Sequence, residues 1–203
     1  IDGIISAKED VGAFRSQMVD SLSGKVLRID PATGDGVPSN PFFDTNAPRA
    51  ARSRVWALGL RNPFRMTIRP GTGSANPADG NPGALYIGTV GWGGYEGLYV
   101  DDAPGLNFGW PSFEGMDPQL SYINFDTQNK DEPNPLFGVN GCGYEFFPFN
   151  TLIIQDTLSP SPSFPNPCDA GEQIPASLHR FVHRRPIIDW SHGGVSRCSF
   201  YNG

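Results

Sequence analysis

The chain has 203 residues and is acidic, with 21 Asp and Glu against 15 Lys and Arg and a formal net charge of −6. This charge argues against general nucleic-acid binding, which needs a basic surface. Hydrophobic residues make up 38% of the chain, enough for a buried core, and no apolar run approaches the roughly 20 residues that a membrane-spanning helix needs. The chain also holds 25 glycines and 20 prolines, without the period of collagen, among many short β-prone runs. These features predict an all-β, loop-rich fold with no membrane span and no nucleic-acid partner.

The first third of the chain leads up to a central β-rich segment. Residues 1–23 carry a weak helical pattern interrupted by glycine and serine, so a short helix and a surface excursion both stay open. The chain starts at Ile1 rather than at methionine and shows no signal peptide, so we expect a piece of a longer, processed or truncated protein. Residues 25–29 alternate in polarity and predict a strand, and residues 30–34 predict a turn.

The central segment opens with two β-prone runs, 55–59 and 64–68, on either side of Arg61-Asn62-Pro63. Proline removes a backbone donor and moves the preceding residue out of the helical region. Arg61 and Asn62 are therefore expected at a strand end or a bulge, where their side chains can be aimed at a site.

A hairpin and a glycine-rich loop follow. A turn-rich segment, 70–83, separates the strand from an apolar run at 84–90, which predicts a hairpin with a long loop. The run ends in Gly-Trp-Gly-Gly at 91–94, where glycine lets the backbone adopt positive φ and direct carbonyl groups into open space. A third strand is predicted at 96–100.

The last part of the chain is less regular. Residues 158–167 include four prolines and predict a surface loop. Residues 187–190 and 199–201 are predicted to be the first strands of a further sheet.

The three cysteines leave an odd one. Cys142 and Cys168 bracket a segment rich in proline, serine and phenylalanine, which a disulfide would restrain, as in exported proteins. Cys198 is either buried and free or paired with a region outside this chain. No Cys-x-x-Cys or His-x-x-x-His spacing occurs, so a metal site of that kind is not expected.

The order of the motifs resembles a known family. Arg-Asn-Pro at 61–63, Tyr-Ile-Gly at 86–88 running into Val-Gly-Trp at 90–92, and Asn-Phe-Gly-Trp-Pro at 107–111 are similar to the soluble sugar dehydrogenases that use pyrroloquinoline quinone (PQQ), the glucose/sorbosone dehydrogenase family. The resemblance covers most of residues 24–115 and returns at 186–203.

This resemblance implies a six-bladed β-propeller. A blade needs roughly 40 to 50 residues, so the chain would supply two to three blades with long loops. We expect a strand and loop of one blade at 24–54, a central blade at 55–115, a loop-rich insertion at 116–185 and the start of the next blade at 186–203. The ring must close to remove its edge strands, so the remaining blades are expected from the rest of the gene product, a second fragment or partner chains.

The resemblance also implies residues that contact the quinone. Arg61 would offset carboxylate or quinol charge, and Asn62 would donate a hydrogen bond. Trp190 and His192 fall near the segment that stacks on the cofactor. The structural alternatives are that Arg61 stacks on Trp56 or pairs with an aspartate, that Asn62 caps the turn, that Trp190 is a core residue and that His192 is solvent-bonded.

The family holds calcium beside the quinone. The backbone carbonyls of Gly91 and Trp92 match the calcium-holding positions, and main-chain oxygens suit this hard cation. The alternative is a glycine-rich turn without an ion.

The function implied is an exported, periplasmic or extracellular dehydrogenase that oxidises a sugar or related polyol by hydride transfer to PQQ. The family's general-base histidine lies in earlier blades, whereas the first histidine of this chain is His179. A second interpretation therefore stays open, a non-catalytic propeller that serves as a binding module or as a structural subunit of an extracellular assembly.

Overall fold

Short strands dominate the fold, because glycine and proline interrupt most apolar runs. The computed structural model describes residues 8–155, 164–175, 182–192 and 196–198. The strands of this part are β1 (Lys25–Leu27), β2 (Val55–Leu58), β3 (Pro63–Ile68), β4 (Leu85–Thr89), β5 (Tyr95–Asp101), β6 (Phe113–Glu114), β7 (Asp117–Pro118), β8 (Gln128–Pro133), β9 (Phe146–Pro148), β10 (Ile154–Gln155), β11 (Pro165–Asn166), β12 (Asp169–Gln173), β13 (Val182–His183), β14 (Ile188–Ser191) and β15 (Ser196–Cys198). The helices are single turns, α1 (Ala51–Arg54), α2 (Leu120–Ile123) and α3 (Phe149–Leu152), with 3₁₀ helices at Gly12–Gln17, Pro77–Asp79 and Val139–Gly141. The prediction of an all-β, loop-rich chain is confirmed.

The largest sheet in the described part of the chain has the order β15-β14-β5-β4-β3, and all its strands are antiparallel. The predicted hairpin is present as β3 and β4, with Ile68 opposite Leu85. The predicted third strand is β5. Smaller sheets are mostly antiparallel pairs, and β10 with β13 is a parallel one.

Strand β14 lies in the same sheet as the central hairpin. It pairs with β5, with Ile188 opposite Leu98 and Ser191 opposite Tyr95. The boundary expected at residue 186 therefore does not separate two sheets, because this pairing joins segments about ninety residues apart, which chain order does not reveal. The assignment of strands to blades stays a prediction, and the predicted strand at 199–201 lies outside the described residues.

Two apolar clusters hold the sheets together. One packs β2 against the β4–β5 face and consists of Trp56, Ala57, Leu60, Ile87, Tyr99 and Phe108. The other joins β2 and β6 to the later chain and consists of Leu58, Phe113, Phe147, Leu152, Ile153, Phe164 and Ile174. Phe164 is buried in this second cluster, so the predicted 158–167 surface loop contains a core residue, although Pro165 next to it is exposed. Residues 158–163 lie outside the described part.

The 3₁₀ helix Gly12–Gln17 decides between the two alternatives for the N-terminal region. It packs Phe14 against Phe149 with ring centroids 4.8 Å apart. The side chains of Ser16 and Gln17 both donate to the carbonyl oxygen of Trp110, each at 2.6 Å. The short helix therefore holds the Asn-Phe-Gly-Trp-Pro motif through hydrogen bonds to the Trp110 carbonyl oxygen.

The predicted disulfide between Cys142 and Cys168 is present. Beside it, Asn166 donates to the side-chain oxygen of Asn134 at 2.8 Å. The side chain of Cys198 lies outside the described residues. Among the helices that the structure describes, none has the length and hydrophobicity needed to cross a bilayer.

Candidate functional site

Arg61 and Asn62 lie in the short connection between β2 and β3, at a strand end as predicted. The Nη1 of Arg61 donates to the carbonyl oxygen of Val90 at 3.2 Å, and its guanidinium carbon lies 5.6 Å from the ring centroid of Trp110. Trp56, the stacking partner in one structural alternative for Arg61, is instead covered by Arg28. The Asn62 carbonyl accepts the Val90 N–H at 3.0 Å, and the Asn62 side chain is exposed. Both residues thus hold the start of the glycine-rich loop.

That loop, taken as residues 91–95 to include Tyr95 at the start of β5, wraps around a carboxylate. The N–H groups of Trp92, Gly93, Gly94 and Tyr95 all donate to Oε1 of Glu114, the last three at 3.0, 3.2 and 3.4 Å. The other oxygen of Glu114 accepts the side-chain amide of Gln119 at 2.9 Å. Burial alone would raise the pKa of Glu114, but the four backbone donors outweigh it and lower the pKa, so the carboxylate stays ionised.

Sequence reasoning did not single out Glu114. The available signal was a glycine-rich loop, whose clustered N–H groups form an anion-binding concavity, together with a glutamate shortly after the Asn-Phe-Gly-Trp-Pro motif. Nothing in the spacing alone says that the two meet.

His192 reaches the other end of the loop from the end of β14. The backbone N–H of His192 donates to the Gly94 carbonyl oxygen at 3.1 Å, and the ring Nε2 lies 2.7 Å from Oε1 of Glu96. Trp190 stands opposite Glu96 on β14 and is 39% exposed. The core alternative for Trp190 is therefore wrong, and His192 bonds to a carboxylate rather than to solvent alone.

One loop thus connects most of the predicted site residues. Arg61 and Asn62 bind Val90 at its start, Gly91 and Trp92 form it, and His192 binds Gly94 near its end. Trp190 lies two residues before His192, on β14.

An aromatic cluster flanks the loop. The Trp92 ring lies 6.4 Å from Trp110 and 5.6 Å from Tyr122, both edge to face, and Trp92 is 50% exposed. Beside Trp92 opens a cleft of about 490 Å³, bordered by Glu114 and Gln119. An exposed indole next to a polar wall is a surface on which planar or sugar rings can stack.

The chemistry of this region fits a planar tricarboxylate such as PQQ. Arg61 donates one N–H to the Val90 carbonyl oxygen, and its other donors have no partner among the described residues. Asn62 offers an exposed amide, and the Trp92 indole offers an aromatic face. For calcium, no described residue donates a hydrogen bond to the Gly91 or Trp92 carbonyl oxygens.

Those two carbonyls would supply only part of a calcium shell, which takes roughly six to eight oxygens. Among the described residues, no group of three or more His, Cys, Asp or Glu side chains could hold a metal. A calcium ion at these carbonyls would therefore need further oxygen ligands besides them.

Comparison with known proteins gives a consistent set of similarities. A family model described as Glucose / Sorbosone dehydrogenase matches residues 4–141. The HIPL1 protein of Arabidopsis thaliana is 23% identical over 213 residues, which cover 91% of this chain and 29% of the relative. The aldose sugar dehydrogenase YliI of Escherichia coli strain K12 is 29% identical over 96 residues, 47% of this chain and 22% of the relative.

Among solved structures, the PQQ-bound aldose sugar dehydrogenase of Streptomyces coelicolor aligns with 53% of this chain and 26% of its own length, at 29% identity and a TM-score of 0.39. The chain spans less than a third of the length of the two curated relatives.

Proposed function

Because the chain belongs to the glucose/sorbosone dehydrogenase family, we propose that the protein is an exported dehydrogenase that oxidises a sugar or related polyol, using PQQ and calcium. The observation that carries this proposal is the convergence of Arg61, Asn62, Gly91, Trp92 and His192 on one glycine-rich loop. Residues that are scattered in the chain and meet at one loop are what a cofactor site requires.

When bound, PQQ would supply a two-electron acceptor for the hydride that leaves the sugar carbon. Arg61 would bind a carboxylate through the guanidinium N–H groups that do not donate to Val90. Its contact with Trp110 holds the guanidinium in place. The exposed amide of Asn62 would add a hydrogen bond. Trp92 would cover a ring face and exclude water from it.

Proton removal from the sugar hydroxyl requires a base, and the described part of the chain holds two histidines, His183 and His192. His183 is fully buried and stacked on Phe113 at 4.4 Å, and burial, helped by the charge of Arg185, lowers its pKa to about 3. His192 is held by Glu96 against the loop. The resemblance implies a histidine of an earlier blade as the base, so we assign this role to a histidine outside this chain; His179 lies outside the described residues.

The same observation favours a second candidate, a non-catalytic propeller that acts as a binding module or structural subunit of an extracellular assembly. If no other part of the protein supplies a base, the loop and its aromatic cluster could still bind a ligand without turning it over.

Export to the periplasm or the cell exterior is part of the proposal. It is supported by the disulfide between Cys142 and Cys168, because such bonds persist in oxidising compartments.

The test is a titration of the full-length protein with PQQ and calcium, followed by visible absorbance after adding a panel of aldoses and polyols. Saturable binding with bleaching on sugar addition supports the dehydrogenase. Binding without bleaching by any sugar favours the binding module. No binding by folded protein rejects the cofactor assignment.

A further inference from the structure

We infer that Glu114 is a positioning residue for the proposed calcium site, because its carboxylate holds loop 91–95 with the Gly91 and Trp92 carbonyl oxygens turned outward. This inference rests on the proposed function, since it concerns the same loop. Glu114 itself is not a ligand in this arrangement.

Glu114 accepts several hydrogen bonds from the loop. Four consecutive backbone N–H groups, from Trp92 to Tyr95, converge on its Oε1, while Gln119 holds the other oxygen. Glu114 is only 6% exposed, so water competes weakly for these bonds. Charge-assisted hydrogen bonds to backbone amides are among the stronger ones in proteins. The loop is therefore built around this anion.

The planarity of the peptide group determines where the loop carbonyl oxygens point. In a trans peptide the N–H of one residue and the carbonyl of the residue before it point in opposite directions. The cis peptide bond of the described chain lies at Trp110–Pro111, so the loop peptides are trans. Because the Trp92 and Gly93 N–H groups point at Glu114, the carbonyl oxygens of Gly91 and Trp92 point away from it.

Gly94 provides an internal check on this geometry. The Tyr95 N–H donates to Glu114, so the Gly94 carbonyl should also face away, and it does accept the His192 N–H on the opposite side. The corresponding oxygens of Gly91 and Trp92 have no described donor. By the same rule the Gly93 carbonyl oxygen faces outward, because the Gly94 N–H donates to Glu114, and it too has no described donor. The outer side of the loop therefore presents three carbonyl oxygens that a cation can take, those of Gly91, Trp92 and Gly93.

Glu114 also fixes which side of the loop is available. A Cβ added to Gly91 would come within 2.5 Å of Oε1, so the loop backbone lies directly on the carboxylate. The inner side is filled, and a cation can approach only the outer side.

The experiment compares Glu114→Ala and Glu114→Gln in the full-length protein, with Glu172→Gln as matched control, an exposed acid on β12. Two quantities are measured. Amide hydrogen exchange at residues 92–95 without any cation reports on the loop alone. Terbium(III) luminescence excited through tryptophan, with terbium standing in for calcium, reports on cation affinity.

We expect the alanine variant to lose protection at residues 92–95 and to bind terbium about 10- to 100-fold more weakly, as for other residues that orient ligands without touching the metal. The glutamine variant keeps an oxygen acceptor and should lie between the alanine variant and the native protein in both measurements. The control should match the native protein.

Native exchange at residues 92–95 in the alanine variant would overturn the inference. So would native terbium affinity in that variant, and the proposed function would then stand unchanged. If the native protein binds no terbium, the calcium part of the proposed function is wrong, and the exchange measurement by itself decides whether Glu114 positions the loop.

Discussion

Arg61 and Glu114 are both charged residues at the loop. Arg61 still has hydrogen-bond donors without a described partner, whereas both carboxylate oxygens of Glu114 already accept hydrogen bonds. Arg61 gives one hydrogen bond to Val90 and rests over Trp110, which leaves guanidinium donors for a ligand. Glu114 has both oxygens occupied by loop amides and Gln119. Charge alone does not distinguish a ligand-binding residue from a positioning one; the number of partners already satisfied does.

Replacing Arg61 by alanine should weaken PQQ binding by about 1.5–3 kcal/mol, the usual contribution of a hydrogen bond to a charged group. Arg65→Ala is a matched control, because Arg65 also lies over an aromatic ring, that of Phe64, at 5.3 Å but belongs to the exposed strand β3. Both affinities can be measured by quinone fluorescence titration. Equal affinities in the two variants would make Arg61 a structural residue only.

His183 should make the protein less stable in acid. Its folded pKa of about 3 lies below the ordinary 6.5, so between these values the unfolded chain binds a proton that the folded chain does not. The free energy of unfolding attributable to His183 is therefore fully present above pH 6.5 and falls as the pH drops toward 3, by up to about 1.4 kcal/mol per pH unit.

His183→Phe keeps a flat ring against Phe113 and removes the titration. Neither ring nitrogen of His183 has a hydrogen-bond partner among the described residues, so the phenyl ring leaves no described group unpaired. Urea unfolding at pH 7.5, 5.5 and 4.5 should show a weaker pH dependence in the variant. Parallel curves for the two proteins would contradict the assignment, since the other titrating groups are common to both.

At the scale of elements, the site depends on how three segments meet at the 91–95 loop. The β2–β3 connection binds its start, β6 supplies Glu114, and the end of β14 binds Gly94. The loop is short and rich in glycine, so apart from Trp92 it has little side-chain packing of its own to hold its shape. Its conformation comes from these neighbours.

Two glycines of this loop should differ sharply in their tolerance to alanine. A Cβ at Gly91 would lie 1.9 Å from the Tyr95 carbonyl oxygen, whereas a Cβ at Gly93 would meet nothing within 4 Å. Gly91→Ala should lower the free energy of unfolding by about 1–3 kcal/mol and disturb quinone and cation binding, as overpacking does. Gly93→Ala, a change of equal size in the same loop, should leave both nearly unchanged. Chemical denaturation and PQQ titration of the pair test this, and equal effects would refute the packing argument.

At the scale of the whole molecule, strand β3 forms an edge of the five-stranded sheet in the described part of the chain. Its apolar residues Phe64, Met66 and Ile68 are more than half exposed. With Leu27 and Trp56, the last two border an apolar cleft of about 220 Å³. Folded proteins rarely leave a large apolar sheet edge exposed to solvent. The exposure of these residues therefore agrees with the expectation that further blades cover this face.

A lysine at Met66 should therefore be costly in the full-length protein. If a further sheet packs on this face, Met66→Lys buries a charge and lowers the free energy of unfolding by about 2 kcal/mol or more. Thr67→Lys, the next residue of the same exposed strand, should stay within about 0.5 kcal/mol. Thermal unfolding of the two variants distinguishes the cases, and two equally small effects would mean that the face is open to solvent.

The sequence by itself determined the β class, the hairpin at β3 and β4, the position of Arg61 and Asn62 at a strand end, the disulfide and the family. Each of these depends on local signals, such as alternation, proline before a strand, turn residues or cysteine spacing, which act over a few residues or in a fixed order.

Only the tertiary structure decided that β14 joins the sheet of the central hairpin, that Trp190 is exposed, that Arg61 lies over Trp110 and that Glu114 fills the glycine-rich loop. These are contacts between segments separated by about twenty to ninety residues, and many pairings of such short strands satisfy the same alternation. Which pairing forms is set by the burial of the whole core and by the need of every buried amide and carboxylate for a partner, neither of which can be read from one stretch of sequence.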